Sequence, residues 1–273
     1  MILQELLDQV KDIAVAKNIP ESDFWFLLSY YLHLSRSEII LSRKRILSDR
    51  ETEVIFNAFS HLENGEPPQY ITGTAYFYGL ELKVNPAVLI PRPETERLVE
   101  LTLGRLKGTE RILDIGTGSG AIAIALKHTL PSLNVSATEI SPSALETAET
   151  NAERYQAEIH FYLSDCFPSI KQSYDVLISN PPYISKAEFV TLDGRVKDKE
   201  PIIALAGGED GLDFYRKLLS QSSDYLSENG FLALEHSDTQ RAAIINIGKK
   251  EGWTKIESLK DLSDKDRYIF FKR

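Results

Sequence analysis

Cysteine is nearly missing from these 273 residues: Cys166 stands alone, which excludes an internal disulfide framework and a cysteine-built zinc site. No apolar run approaches the length of a membrane span, and the N-terminus shows no basic-then-apolar signal pattern. The expectation is a cytoplasmic protein with no membrane partner. Positive charge is scarce as well. Lysine and arginine number 31 against 40 aspartate and glutamate, a net charge of −9, whereas affinity for phosphate backbones rests largely on clustered positive charge. The one basic cluster, Arg36, Arg43, Lys44, Arg45 and Arg50, lies in the N-terminal third and reads as a solvated helix face. Direct nucleic-acid binding is therefore not expected. What is present is ordinary for a globular protein: 42% hydrophobic residues, 26% charged, and length enough for two domains.

Residues 1–75 show helical spacing and little else. Ile2, Leu3, Leu6, Leu7, Val10 and Ile13 recur at three- and four-residue intervals, the stripe of an amphipathic helix. Ser22 or Asp23 reads as the cap of a second helix, Phe24 to Leu34, and Ser37 as the cap of a third beginning near Glu38. Ser48 precedes Glu51 by three residues, a capping-box spacing that opens a helix to about Asn64, which Gly65-Glu66-Pro67-Pro68 ends. The aromatic residues Phe24, Trp25, Phe26, Tyr30 and Tyr31 are expected in the core of this domain more than on a contact surface.

Residues 76–86 read as a β-hairpin linker, with Tyr76-Phe77-Tyr78 and Glu81-Leu82-Lys83-Val84 separated by Gly79-Leu80. Residues 87–273 read as one α/β domain. A rigid polar loop, Ile90-Pro91-Arg92-Pro93-Glu94-Thr95-Glu96, leads into a helix through Leu106. Strands then fall at 111–116, 134–140, 159–165, 174–180 and 230–236, with helices near 120–129, 143–155, 211–227 and 239–251. Two closing strands, about 254–260 and 267–272, have no helix between them. That order implies a seven-stranded, Rossmann-like, mostly parallel sheet whose last hairpin adds an antiparallel strand.

The most informative stretch is Asn180-Pro181-Pro182-Tyr183, directly after the apolar run Tyr174–Ser179. Two consecutive prolines cannot continue a ladder, so the chain leaves the sheet at the strand's carboxyl end. Open α/β sheets place their ligands at that end. With no proline N–H to engage them, the carbonyls there are free to accept hydrogen bonds, Asn180 adds a side-chain oxygen, and Tyr183 adds a flat ring. Such a corner suits a planar nitrogen carrying two hydrogens, as in a carboxamide or the exocyclic amine of a base.

A second constellation is Ile112-Leu113-Asp114-Ile115-Gly116-Thr117-Gly118-Ser119-Gly120, a strand, a glycine-rich turn and a helix start. The glycines allow a tight turn and close approach of a ligand. Glu139 ends the next strand, where an acidic side chain can accept both hydroxyls of a ribose. Gly116-x-Gly118-x-x-Ala121 also satisfies a dinucleotide fingerprint, so these residues by themselves leave a nicotinamide dehydrogenase open. Such an enzyme needs a hydride partner and usually a proton-transfer residue, and His33, His61, His128, His160 and His236 form no recognisable arrangement for it.

These stretches, in this order, resemble the glutamine methyltransferases of peptide chain release factors, the HemK/PrmC family. The resemblance is carried by Ile90–Glu96, Ile112–Gly120 and Asn180-Pro181-Pro182-Tyr183-Ile184. Further matches are Glu200-Pro201, Ala204-Leu205, Gly207-Gly208, Asp210-Gly211-Leu212, Glu235-His236 and Asp261-Leu262 with Arg267. It implies a class I methyltransferase fold using S-adenosyl-L-methionine, with residues 1–75 as the docking domain for the release factor. It also implies transfer of a methyl group to the side-chain amide nitrogen of a glutamine in a Gly-Gly-Gln loop, modulating translation termination. Asn180, Pro181, Pro182 and Tyr183 are then the catalytic corner. Asp114, Gly116, Thr117, Gly118, Ser119, Gly120, Glu139, Asp165, Cys166 and Asn180 are the cofactor residues, with no metal. Arg92 and Glu94 would shape the mouth. Two positions depart from the commoner pattern: Glu139 replaces an aspartate, and Cys166 stands where some relatives carry an aromatic beside the adenine, a place Phe167 is the alternative to fill. An exocyclic-amine base methyltransferase would use the same corner, but the acidic balance weighs against it. A catalytically silent binding subunit would be expected to have lost the glycines or the corner, and both are intact.

Overall fold

A computed structural model of the chain describes residues 1–272. They fall into two compact units, residues 1–74 with 193–199, and residues 75–192 with 200–272.

The first unit is helical. Helix α1 (Leu3–Ala16) buries Leu3, Leu6, Leu7, Val10 and Ala14 along one stripe. They meet Phe24, Leu27 and Leu28 of α2 (Glu21–Leu32), Ile39 of α3 (Arg36–Leu41), and Ile55, Phe59 and Leu62 of α4 (Asp49–Glu63) in one core. The Ser48–Glu51 capping box forms as its spacing implies. Two other caps differ from expectation. The second helix starts at Glu21 behind Pro20, so Ser22 and Asp23 lie inside its first turn, where Glu21 and Asp23 complement the helix dipole. The third is capped by Ser35, not Ser37: a capping box needs an acceptor three residues on, which Glu38 supplies to Ser35 and Ile40 cannot supply to Ser37. The Gly65–Pro68 stretch does not simply end the helical region, because Pro68 opens a further short helix, α5 (Pro68–Thr72), closed by Gly73 at φ 69°.

Of the five aromatics only Phe24 is fully buried; Trp25, Phe26 and Tyr31 are partly buried against the core, and Tyr30 donates its hydroxyl to the Thr72 carbonyl. Past its first turn helix α2 carries large apolar residues round most of its circumference, so the face of Phe24, Leu27, Leu28 and Leu32 enters the core and the other aromatics stay half-covered. In the basic cluster Arg36 pairs with Glu21 and Arg45 with Glu51, each at 2.5 Å.

Strands β1 (Thr74–Phe77) and β2 (Leu80–Lys83) pair as a two-stranded sheet. The turn sits one residue earlier than expected, at Tyr78-Gly79, because both residues adopt positive φ (51° and 77°), as the mirror-image hairpin turn requires.

The second unit is built on β3 (Arg111–Ile115), β4 (Asn134–Glu139), β5 (Ile159–Leu163), β6 (Tyr174–Ser179), β7 (Leu226–Glu235), β8 (Lys255–Lys260) and β9 (Asp266–Lys272). Among the described residues they form a seven-stranded sheet in the order β5-β4-β3-β6-β7-β9-β8, with β9 antiparallel to both its neighbours. The helices are α6 (Pro93–Leu103), α7 (Ala121–Thr129), α8 (Pro142–Arg154), α9 (Lys186–Thr191), α10 (Gly194–Lys197, in the first unit's segment), α11 (Asp213–Gln221) and α12 (Arg241–Lys250). Alternation along the buried strands divides the core in two. Ile112, Val176 and Ile178 pack with α6 and α7 on one side; Leu113, Ile115 and Leu177 pack with α11 and α12 on the other.

Several boundaries move. The helix after the polar loop stops at Leu103 rather than Leu106, and α11 gives way to a 3-10 turn at Ser222–Asp224, so β7 begins at Leu226. Helices α9 and α10 and a 3-10 turn at Ile202–Ala204 occupy a stretch for which the sequence pattern indicated no element. Among the described residues no helix is long and apolar enough to cross a membrane.

The strand order reverses between β3 and β6, whose residues pair in register, Asp114 opposite Ile178. Successive crossovers from β3 run outward through β4 and β5, and from β6 through β7. The carboxyl ends of β3 and β6 therefore open side by side at the switch point, where such sheets bind ligands.

Candidate active site

The turn after β3 is tied down before it reaches the site. Gly116 and Thr117 amides both donate to the Thr138 carbonyl, at 2.9 and 3.0 Å, fastening the turn to the end of β4. Thr117 Oγ1 donates to Asp114 Oδ2 at 2.6 Å from above. Asp114 itself is fully buried, and burial pushes its carboxyl up to about 7, opposed by the Thr117 hydrogen bond and the Ala123 amide. Gly120, at φ 82°, has no room for a side chain: a Cβ there would lie 2.9 Å from Ile124 Cδ1 and 3.3 Å from Ala148 Cβ, at the packing of α7 on α8.

Glu139 closes the loop from the other side. Its Oε2 accepts the Gly118 amide at 2.9 Å, and its Oε1 accepts the amides of Ile140 and Ser141 at 2.9 and 3.0 Å.

The corner after β6 is held by polar contacts on every side. Ser179 Oγ donates to the Ile115 carbonyl at 2.7 Å, locking the ends of β6 and β3 together. Asn180 Nδ2 donates to Thr95 Oγ1 at 2.9 Å, and Thr95 Oγ1 donates to Glu235 Oε2 at 2.8 Å. Glu235 ends β7, is 1% exposed, and burial raises its carboxyl to about 7 against the pull of Thr95 and Arg267. Beyond Tyr183 the chain runs beside Leu205–Gly208: the Ile184 amide donates to the Leu205 carbonyl and the Gly207 amide to the Ile184 carbonyl, at 2.9 and 2.8 Å. Gln240, buried ahead of α12, donates through Nε2 to the Tyr183 and Gly211 carbonyls at 2.8 and 3.2 Å. A Cβ on Gly207 would come within 2.9 Å of the Pro182 carbonyl and closer still to Gly211, so only glycine admits this approach. Glu200, buried, accepts the Ile90 amide at 3.2 Å and pairs with Arg92 at 2.5 Å.

Between the two loops lies a cavity of about 280 Å³. Of the residues expected at the site, Gly116, Thr117, Gly118, Ser119, Glu139, Asp165, Asn180 and Pro182 line it, as does Arg92. Asp114 and Gly120 do not: the first lies beneath the turn and the second in the helix packing. Pro181 is buried and Tyr183 part-buried, and neither lines the cavity, while Glu94 reaches Tyr268 through its backbone carbonyl. Cys166 is a correction. Its side chain is 4% exposed in the core below the sheet end, and burial pushes its thiol up to about 12. Phe167 does not replace it, since its ring stacks on Tyr225 at 4.5 Å and 13°. Burial likewise raises the Tyr183 phenol, to about 12. Thr95, Ile140, Ile203 and Phe214 line the cavity without having been singled out as site residues. Thr95 stood in the polar-loop motif, and Ile140 follows Glu139 directly, but no spacing signals Phe214, which α11 brings in from far along the chain.

Residues 95–193 match the family described as "Methyltransferase small domain", and residues 5–73 match "PrmC N-terminal domain". The chain is 36% identical over 272 residues to a "Release factor glutamine methyltransferase" of Streptococcus pneumoniae, covering 98% of both chains. It is 42% identical over 234 residues to the protein of that name from Lactococcus lactis, covering 85% of this chain and 86% of the other. A solved methyltransferase from Pyrococcus furiosus shares the fold, with a TM-score of 0.55 at 24% identity over 83% of this chain and 99% of that one.

The Asp114 carboxyl gives a stability test. Its proton is held more tightly in the folded chain than in the unfolded one, where the ordinary value is 3.8. The unfolded state therefore ionises first as pH rises, and stability is lost between about pH 4 and about pH 7. Asp114→Asn removes that loss, so its Tm relative to the parent rises across this interval. A Tm difference that does not change with pH contradicts the assignment.

Proposed function

The chain belongs to the family of release factor glutamine methyltransferases, and on that premise we propose how its cavity serves the reaction. S-adenosyl-L-methionine, the methyl donor of this chemistry, supplies an electrophilic methyl group on a sulfonium. The lining supports its binding. Gly116 and Gly118 have no atom within 4 Å of where a Cβ would stand, so side chains there would project into open space that a ligand can use. Glu139 offers its remaining lone pairs to ribose hydroxyls while its amide contacts keep the carboxylate in place. Ile140 and Phe214 supply apolar walls for the adenine, with Asp165, ion-paired to Lys217 at 2.6 Å, at its polar edge. Asp114 acts from below, through Thr117, on the shape of the loop.

The observation that carries the reading is the orientation of Asn180. One N–H of its amide donates to Thr95 and the residue lines the cavity, which leaves its carbonyl oxygen to accept from a ligand. Together with the Pro181 carbonyl it forms a pair of acceptors for the two hydrogens of a glutamine amide. An amide nitrogen is a weak nucleophile because its lone pair is delocalised into the carbonyl. Two acceptors fix its orientation and favour the positive charge that grows on nitrogen as the methyl group arrives. One N–H proton leaves after transfer, so no strong base is required, and Tyr183 flanks the amide plane. The substrate is the glutamine side chain of a peptide chain release factor, in its Gly-Gly-Gln loop. Residues 1–75 serve as the docking arm for that protein, and the cytoplasm is the compartment this substrate implies.

Incubation with methyl-labelled S-adenosylmethionine tests the assignment: release factor becomes labelled at the loop glutamine, and DNA and RNA stay unlabelled. Labelled nucleic acid with unlabelled release factor overturns it. Asn180→Ala should lower turnover by roughly 100-fold or more, since a buried unpaired N–H costs about 1–3 kcal/mol and misorientation adds to it. Cofactor affinity should stay within about threefold. Near-normal turnover in this variant contradicts the mechanism.

The docking role is tested by deleting residues 1–70. Methylation of intact release factor should fall far more than cofactor affinity. Equal losses of both would show the helical unit to be structural only.

A further inference from the structure

Beside Asn180 lie two buried side chains that the reaction as described does not use. Thr95, 5% exposed in the first turn of α6, stands between Asn180 and Glu235, 1% exposed at the end of β7. Thr95 Oγ1 gives its proton to Glu235 Oε2 at 2.8 Å and receives an N–H of Asn180 at 2.9 Å. A hydroxyl has a single proton. While the ionised carboxylate of Glu235 takes it, only lone pairs of Thr95 face Asn180, and only the NH₂ end of an amide can meet them. The amide turned over by half a rotation would set two acceptors against each other at Thr95. It would also present NH₂ to the cavity, where it would oppose the NH₂ of a glutamine.

Stability gives no reason for this pair. A buried carboxyl is costly, and apolar side chains of the same volume would pack without that cost. The β7 end is held independently: the Tyr215 hydroxyl donates to the Glu235 backbone carbonyl at 2.8 Å, and Arg267 donates to that of His236 at 3.2 Å. Those two bonds leave the Glu235 side chain to Thr95, with the charges of Arg267 and Arg92 attracting its carboxylate.

We propose that Glu235, acting through the Thr95 hydroxyl, is a positioning residue that fixes the Asn180 amide with its carbonyl oxygen toward the substrate nitrogen. The proposal rests on the reading of this corner as the amide-binding site. It assigns the two residues no contact with substrate or cofactor through which they act; their effect passes through Asn180. With Glu235 ionised the relay has a single polarity, which is what a site needs when it must tell an acceptor from a donor on a side chain whose two ends have the same shape.

Two measurements on the full chain separate the relay from the reaction. In the first, the side-chain NH₂ of Asn180 is followed by nitrogen-15 NMR, its signals identified by their loss in Asn180→Asp. Thr95→Val should speed exchange of these hydrogens by about tenfold or more, and Thr95→Ser should restore the parent behaviour. In the second, Thr95→Val should lower kcat by roughly 100-fold, with affinity for the demethylated cofactor within about threefold. Thr95→Ser should recover most of the rate. Adding Asn180→Ala to Thr95→Val should cost little further, because both changes remove one function. Thr95→Ala, which introduces no new bulk, must match Thr95→Val and so serves if the valine variant does not fold. The proposal is overturned by near-parent turnover in Thr95→Val or Thr95→Ala, by Thr95→Ser as slow as Thr95→Val, or by losses that multiply in the double variant. Should the parent leave release factor unmethylated, the function reading fails alone. Exchange of the Asn180 hydrogens then decides the relay, and an unchanged rate in Thr95→Val overturns it.

Discussion

Two prolines follow Asn180, the first residue past β6, and the geometry of the site depends on the exit they impose. A strand in the middle of a parallel sheet would otherwise continue its ladder on both sides. Pro181 and Pro182 contribute no N–H, so the chain peels away at the point where the strand order reverses. The exit leaves backbone carbonyls without ladder partners beside the ligand cavity. Polar side chains tie the exit in place: Thr95 from α6 and Gln240 from the start of α12 meet it from distant elements, and Ser179, its own neighbour in β6, bonds the end of β3.

The partners divide the corner's polar groups by kind. Gln240 satisfies the Tyr183 carbonyl with a donor, and the neighbouring Leu205–Gly208 run adds a short parallel ladder. Glycines at 207 and 211 let two backbones approach where a Cβ would touch a carbonyl. Behind this, Glu200 joins the polar loop to the same framework through Ile90 and Arg92. The outcome is a small preorganised polar surface that offers the Asn180 carbonyl oxygen as an acceptor. That is the complement of a group with two hydrogens and no charge. Preorganisation matters because the reacting nitrogen is weak: donors and acceptors that had to reorient during the reaction would return much of the stabilisation they give.

Much of this was legible in the residue order, for identifiable reasons. Strands β3 and β6 and the second half of β7 carry mostly apolar runs, as strands buried on both faces must, and the glycine turn and the Asn-Pro-Pro-Tyr corner are contiguous motifs. Chain positions set by local geometry, such as Glu139 at the end of β4, fall on the cavity where the motif puts them. Errors gathered where geometry depends on remote packing. Cys166 follows a strand as an adenine contact should, but its positive φ of 80° belongs to a turn that buries it. Asp114 heads the glycine loop yet works from underneath. Phe214, Gln240 and Thr95 reach the site from three separate helices or helix starts, and no spacing in the sequence joins them. The caps of the second and third helices were misplaced for a simpler reason: several polar residues precede each start, and only the Ser35–Glu38 spacing completes a box.

The claim at the centre of this account is that the corner reads an amide by its two hydrogens. The most direct measurement is a crystal structure of the full chain with the demethylated cofactor and a peptide containing Gly-Gly-Gln. The account predicts the glutamine nitrogen within hydrogen-bond distance, roughly 2.7–3.2 Å, of both Asn180 Oδ1 and the Pro181 carbonyl, with Asn180 Nδ2 still on Thr95. A glutamine amide bound with its oxygen toward Asn180, or seated away from the corner, would contradict it.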